Sequence, residues 1–423
     1  MGGLLHHPWY AGWDLSIFDQ APLSETEIKI QHMKPGSPFV SSFQRIVIVL
    51  FLLAVTVAGV HSSYTEQKMP KEILYIGTFG DYIHVFEFDR TQKKLIRIQT
   101  VSGRKGPGFQ AIHPEGSYLY SVSGERFSEE DDGGTITTYR IDRSTGNLEI
   151  INEQSTAGGG PCHVSVDPKG EYVFVSNYSG GNLSMYRIRG DGGLEPAAEV
   201  IQHEGGSIHE RRQQGPHVHS AIPSADGKFL YVSDLGIDKI MIYAIDRINN
   251  RLLSAESPFI EHVPGSGPRH FVIHPNGAFA YSAEELSSTV AVFTVDQPTG
   301  ALTQIQRIEM LPTSFEGSNT AADIHISPDG KFLYASNRGH ESLAIYSIDR
   351  STGQLSLIGH KSTRGAHPRN FAVDIKGEFV FVANRDNNNV VVFERDKATG
   401  MLTYTGNEAE VPVAVCVTQF IPD

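Results

Sequence analysis

From residue 72 onward the chain repeats itself seven times, and that repeat narrows its fold more than any other property. The most regular part of each copy holds an aromatic, an alternating strand and a turn: HVFEFDRTQKKL, TTYRIDRSTGNL, SMYRIRGDGGL, MIYAIDRINNRL, AVFTVDQPTGAL, AIYSIDRSTGQL and VVFERDKATGML. The aromatics fall at Phe86, Tyr139, Tyr186, Tyr243, Phe293, Tyr346 and Phe393, so successive copies are 47 to 57 residues apart. That spacing is at or somewhat above the length of a four-stranded propeller blade. Apolar–polar alternation, then Asp, a tight turn and Leu, reads as the outer hairpin of such a blade. Seven copies predict an all-β, seven-bladed β-propeller with four-stranded blades over residues 72–421.

Between these segments lie six inner hairpins, each an apolar strand, a Pro/Asp/Gly turn and a second strand of the form Tyr/Phe-x-Tyr/Phe. Their turn glycines are Gly116, Gly170, Gly227, Gly277, Gly330 and Gly377. The seventh inner hairpin is split between ILYIGTF at 73–79 and VPVAVCVTQF at 411–420. Pairing these N- and C-terminal strands closes the ring and leaves no exposed edge between the first and last blades. Neither tryptophan, Trp9 or Trp13, lies in the repeats, so the Trp-Asp signature of interaction propellers is absent.

Ahead of the repeats, residues 46–60 form an unbroken apolar run of 15 with Arg45 before it and His61-Ser62-Ser63 after it. A membrane-spanning helix needs about 20 apolar residues, so the run is short for an anchor and resembles the centre of a secretory signal. The sequence predicts a signal peptide or anchor over 43–63, and a disordered tail or mis-assigned start over 1–42, Met33 being the alternative start. Such a segment, if used, makes the protein secreted or membrane-anchored, with membrane contact only through 46–60 if uncleaved; otherwise a cytoplasmic protein is expected. Export would also make Asn177-Tyr178-Ser179 and Asn182-Leu183-Ser184 acceptors for glycosylation.

A net charge of −13 argues against nucleic acid, because phosphate binding needs a basic face. Only Cys162 and Cys416 are present, too few for a disulfide framework or a thiolate metal site.

In a blade the innermost strand lines the central channel and pairs antiparallel with the next, so residues equally far from a turn glycine meet at one rim. Eight before Gly277 is Arg269 and eight after it Glu285; eight after Gly330 is Arg338; eight before and after Gly377 are Arg369 and Arg385. Eight before Gly227 is His219, and seven before Gly170 and Gly277 are His163 and His270. Asp323 and His325 stand seven and five before Gly330. The opposite rim carries ordinary turn chemistry, including His113 and His274, which are read as structural. Arginines gathered at one rim of an acidic protein suit a small anionic ligand, since the guanidinium fork matches carboxylate or phosphate.

Blander readings stand beside these. Arg269 and Glu285 also read as a rim ion pair, and His163 and His270 as hydrogen-bonded channel histidines. Arg385 reads as a solvated loop charge. Asp323 would orient an arginine or act as a base. His209, Arg211 and Arg212 lie on a long polar insertion that is either a lid or plain surface.

The segments GPRHFVIHPNGAFAYSAEELSSTVAVF, AADIHISPDGKFLYASNRGHESLAIY and GPHVHSAIPSADGKFLYVSDL resemble the propeller-type 6-phosphogluconolactonases of bacteria and their fungal relatives, the carboxy-cis,cis-muconate cyclases. The similarity runs over essentially 72–421. It implies a lactonase of carbohydrate metabolism, in the pentose phosphate pathway, acting on a small anionic sugar lactone. The fungal pattern falls on His219, Arg269, Glu285 and Arg338, the four already placed on one rim. His163, His270, Asp323, His325 and Arg369 are the further substrate-binding candidates. Glu285 is the expected base, with His219 as alternative base or as the acid for the leaving alkoxide, and the arginines hold the anion. No cofactor is implied, and no metal, because the rim offers arginines rather than carboxylates and carbonyls. One departure stands out: where the bacterial proteins read Arg-Trp-Ala-Ala-Asp-Ile-His, this chain has Asn319-Thr320-Ala321-Ala322-Asp323-Ile324-His325. Cycloisomerisation of a carboxylated muconate and non-catalytic binding of an anion or protein are the rival readings, and a monomer is expected.

Overall fold

The computed structural model describes residues 71–422; the tail expected at 1–42 and the signal-like segment at 43–63 lie outside the described residues. The described residues form seven four-stranded antiparallel sheets. Blade 1 runs outward from Ala414–Phe420 through Ile73–Thr78 and Tyr82–Asp89 to Lys94–Ser102, so the C-terminal strand is innermost and closes the ring as expected. Blades 2 to 7 begin at the channel with Pro107–Ile112, Pro161–Val166, Val218–Pro223, Pro268–Ile273, Thr320–Ile326 and Pro368–Val373, and run outward in chain order. The six turn glycines all adopt positive φ, between 67° and 72°, a region that strains any residue with a Cβ.

The core lies between blades. Tyr231, Ile240 and Ile242 of blade 4, for example, pack against Phe271, Ala280 and Phe293 of blade 5. Such packing covers both faces of each second strand, which explains why Tyr172–Asn177, Phe279–Glu284 and Phe379–Asn384 bury every residue instead of alternating. Leu74, Ile76 and Phe88 of blade 1 join Phe379, Phe381 and Val392 of blade 7 in the same way, so the core continues across the closure.

Polar ties reinforce each interface. Tyr75, Tyr120, Tyr281 and Tyr334 donate their hydroxyls to the carbonyls of Gly146, Gly192, Gly353 and Gly400, outer-turn glycines of the next blade. At the turn rim, Arg90 of blade 1 bonds Glu72 of its own blade and reaches Asp374 and Glu378 of blade 7, both at 2.6 Å. Arg247 of blade 4 likewise grips Asp167 and Glu171 of blade 3. His113 and His274 face the carbonyls of Gly170 and Gly330 at 3.2 and 3.0 Å, the structural role expected of them.

Candidate active site

At the same level of every blade the innermost strand slips register against its partner. The residue left out is Gly108, Cys162, His219, Arg269, Arg369 or Val415, and in blade 6 the pair Ala322 and Asp323. A bulge leaves an extra residue unpaired and re-aims its side chain. All six single bulge residues line one cavity of about 720 Å³ at the channel end opposite the turns. Gly124, Tyr178, Glu285 and Arg338, each eight after a turn glycine, complete its wall with Phe79, Lys105 and Arg212.

The cavity's charge opposes that of the chain. Lys105, Arg212, Arg269, Arg338 and Arg369 face a single wall carboxylate, Glu285. One Glu285 oxygen, Oε2, lies 2.9 Å from both Arg269 Nε and Arg338 Nη2, and the other accepts from Arg212 Nη2 at 2.6 Å. Burial alone would raise this carboxyl's pKa, but Arg338, Arg269 and Arg212 outweigh it and hold Glu285 well below the usual carboxylate range. Burial, then repulsion from Arg338 and Arg369, pulls Arg269 down to about 9. Burial and Arg338 bring Arg369 to about 10. Arg269 Nη1 and Arg338 Nε are buried donors without a protein partner, and each such donor costs about 1–3 kcal/mol. An anion held between them would offset that cost.

Below this wall a layer built from residues seven before the turn glycines floors the cavity. Phe109 lies 4.5 Å from His163 and 5.7 Å from His270, ring centre to ring centre. His270 Nδ1 is 2.6 Å from Asp323 Oδ1, and Asn370 Nδ2 donates to Asp323 Oδ2 at 2.5 Å. A second cavity of about 410 Å³ lies on the turn side, sharing Phe109 and His270 and lined also by His163, Asp323 and His325. Thus His219, Arg269, His270, Glu285, Arg338 and Arg369 meet at one cavity, whereas His163, Asp323 and His325, expected beside the arginines, stand on the far side of the floor. Each residue along a strand advances about 3.3 Å, so positions seven and five before the glycine fall deeper in the channel than position eight.

Of the insertion residues that read as lid or surface one enters the site, and two further lining residues, Tyr178 and Cys162, were not expected there. Arg212 turns inward from the insertion to Glu285 and the Tyr178 hydroxyl, while His209 and Arg211 stay exposed. The insertion is anchored by Gln213, whose buried amide donates to Leu235 O. Tyr178 and Cys162 sit eight after and eight before Gly170, so the same count would have found them had it not been restricted to chargeable residues. Burial pushes the Cys162 thiol up to about 12, which leaves it no nucleophilic thiolate. Arg385 pairs with neighbouring Asp386 in its loop. Among the described residues no group of three or more His, Cys, Asp and Glu is arranged to hold a metal ion.

The glycosylation reading needs correction. Asn177 and Asn182 are buried, and their amides donate to Thr156 O and Ala157 O. Neither is accessible in the folded protein, so protein from a glycosylating host should show the same mass at both peptides before and after glycosidase treatment.

Residues 73–419 match the family described as lactonase, 7-bladed beta-propeller. A 6-phosphogluconolactonase of Formosa agariphila is 38% identical over 309 residues, covering 71% of this chain and 86% of that protein. One of Bacillus subtilis is 34% identical over 311 residues, covering 72% and 86%. The solved structure of a periplasmic gluconolactonase of Pseudomonas aeruginosa superposes with a TM-score of 0.78 at 32% identity, covering 84% of this chain and all of that one. With this match over the whole ring, the chain belongs to the seven-bladed β-propeller lactonases.

Proposed function

We propose that the chain hydrolyses small anionic sugar lactones in the manner of the 6-phosphogluconolactonases it resembles. The observation that carries this reading is the cavity's five cationic side chains against one carboxylate in a protein of net charge −13. Low-dielectric walls of one sign concentrate ligands of the other. Asn319, where the bacterial pattern has arginine, bonds Ser288 and Asn337. Anion recognition therefore rests on Arg269, Arg338, Arg369 and Arg212.

Hydrolysis needs a base for water and donors for the oxyanion that forms as the carbonyl becomes tetrahedral. Arg269 and Arg338 supply preorganised donors. Glu285, expected as the base, is engaged by three guanidiniums and binds a proton too weakly; its part is to hold the arginines at fixed spacing. Burial, then Arg269, depresses His219 well below the ordinary imidazole value, so it is neutral at pH 7. Its neutral ring can donate a hydrogen bond to the bound lactone.

The reading is tested by pH-stat titration of 6-phosphogluconolactone and glucono-1,5-lactone hydrolysis. Enzyme-dependent acid release is expected, faster for the phosphorylated substrate and inhibited competitively by inorganic phosphate. Equal rates with and without enzyme for both lactones would refute the reading. Glu285→Gln is expected to lower kcat/KM by about 10- to 100-fold, because misplacing a donor by about 1 Å can cost 100-fold.

A further inference from the structure

A lactonase must take a proton from water, and the floor of the cavity holds an arrangement suited to it. His270 spans the floor and lines both cavities. Its Nδ1 lies 2.6 Å from Asp323 Oδ1, while its Nε2 is buried and without a hydrogen-bond partner. Asp323 is itself fixed on every side. Its backbone N–H donates to Ser336 Oγ, and its Oδ2 accepts from Asn370 Nδ2, from the Phe371 N–H and from His325 Nε2. Position 323 sits at the bulge of its innermost strand, where Ala322 and Asp323 stand opposite Ser336, and its carboxylate meets His270 of blade 5.

We infer that His270, oriented by Asp323, is the general base that activates water for lactone opening. This rests on the lactonase reading and supplies its missing base. With Asp323 ionised, His270 Nδ1 must carry the proton, and Nε2 keeps a lone pair that no protein group engages. His270 faces Arg269, His219, His163, Asp323 and, through the shared carboxylate, His325. Burial and Arg269 pull its pKa down to about 4 against the pull of Asp323, so the imidazole is neutral and able to accept.

The step balances within the site. Water's oxygen bonds the carbonyl carbon while one water proton passes to His270 Nε2, giving an imidazolium beside Asp323 and an oxyanion beside the arginines. Collapse breaks the ring C–O bond, and Nε2 returns the proton to the leaving alkoxide. The new carboxylic acid then ionises, so one hydroxycarboxylate and one proton leave and His270 is neutral again.

Three variants of the full chain test the assignment, with 6-phosphogluconolactone as substrate and 6-phosphogluconate as binding probe. His270→Gln and Asp323→Asn are each expected to lower kcat by about 100-fold or more, the usual worth of a positioned base, with 6-phosphogluconate affinity within threefold of the parent. A loss of kcat smaller than tenfold in His270→Gln overturns the proposal, as does a fall in kcat matched by loss of 6-phosphogluconate binding.

His325→Gln guards against mere misfolding, since the His325 side chain is 38% exposed. Removing the group that shares Asp323 leaves its whole charge acting on His270 and raises that imidazole's proton affinity. Because the base must be neutral, the acid limb of kcat/KM should move to higher pH; an unmoved limb contradicts the shared carboxylate. A parent enzyme inert toward every lactone would instead sink the lactonase reading itself, whereas an active parent with an active His270→Gln sinks only the base.

Discussion

Arg269→Met is expected to leave a more stable protein that no longer turns over its substrate. Arg269 is 2% exposed, its Nη1 has no partner, and Arg338 and Arg369 crowd it with like charge. Replacing a whole buried ion pair by apolar side chains of similar volume is often neutral or stabilising by about 1–4 kcal/mol, and the usual cost of removing one partner alone comes from the charge it strands. Glu285 would keep Arg338 and Arg212, so no carboxylate is stranded. Losing one preorganised donor should lower kcat by about 100- to 1,000-fold. Thermal unfolding and steady-state kinetics on the same preparation decide the matter. A lower melting temperature with activity intact would make Arg269 a structural rim pair and remove it from the site.

The second large effect concerns closure. Arg90 and Arg247 are matched in local chemistry: each side chain is 20% exposed and grips an aspartate of the preceding blade that is fully buried. They differ in place. Arg247 joins blades whose strands are all consecutive in the chain, whereas Arg90 ties the N-terminal strands of blade 1 to blade 7, which are otherwise held there by the pairing of Ile73–Thr78 with Ala414–Phe420 inside blade 1 and by packing. Arg90 also holds Glu72 and Glu378 and covers the Phe379 ring at 5.0 Å. Breaking a buried pair by removing one partner costs about 3–5 kcal/mol, and Arg90→Ala should reach that range. It should also speed amide hydrogen exchange in 73–78 and 414–420 selectively. Arg247→Ala should cost less and leave exchange at the closure unchanged; the reverse order would show that closure does not depend on the arginine.

The sequence made the ring legible because a blade is a local unit. Aromatic spacing, turn glycines and the split hairpin each report on residues close in the chain or on a repeat that sums them. The same regularity made Arg269, Glu285, His219, Arg338 and Arg369 legible, since counting from a turn fixes height along the channel. It could not show that positions eight and seven before the turn separate into wall and floor, because that depends on a bulge, which leaves no composition of its own. The contact between His270 and Asp323 was hidden for a related reason. Counting gives the height of each, but Asp323 meets His270 at a bulge where Ala322 and Asp323 stand opposite Ser336. Arg212 was ambiguous because it arrives on an insertion, whose path the repeat does not set.

The bulges have a further consequence. A side chain outside the ladder can be exchanged without disturbing the backbone bonds that keep adjacent strands together, so the ring offers seven slots whose contents are chemically independent of the scaffold. Here they are filled unevenly: Val415 and Gly108 occupy the slots of blades 1 and 2, while His219, Arg269 and Arg369 occupy those of blades 4, 5 and 7. Charge in the slots is thereby concentrated on the later blades, while the slots of the first two carry none. New specificities could be installed by rewriting those slots one at a time.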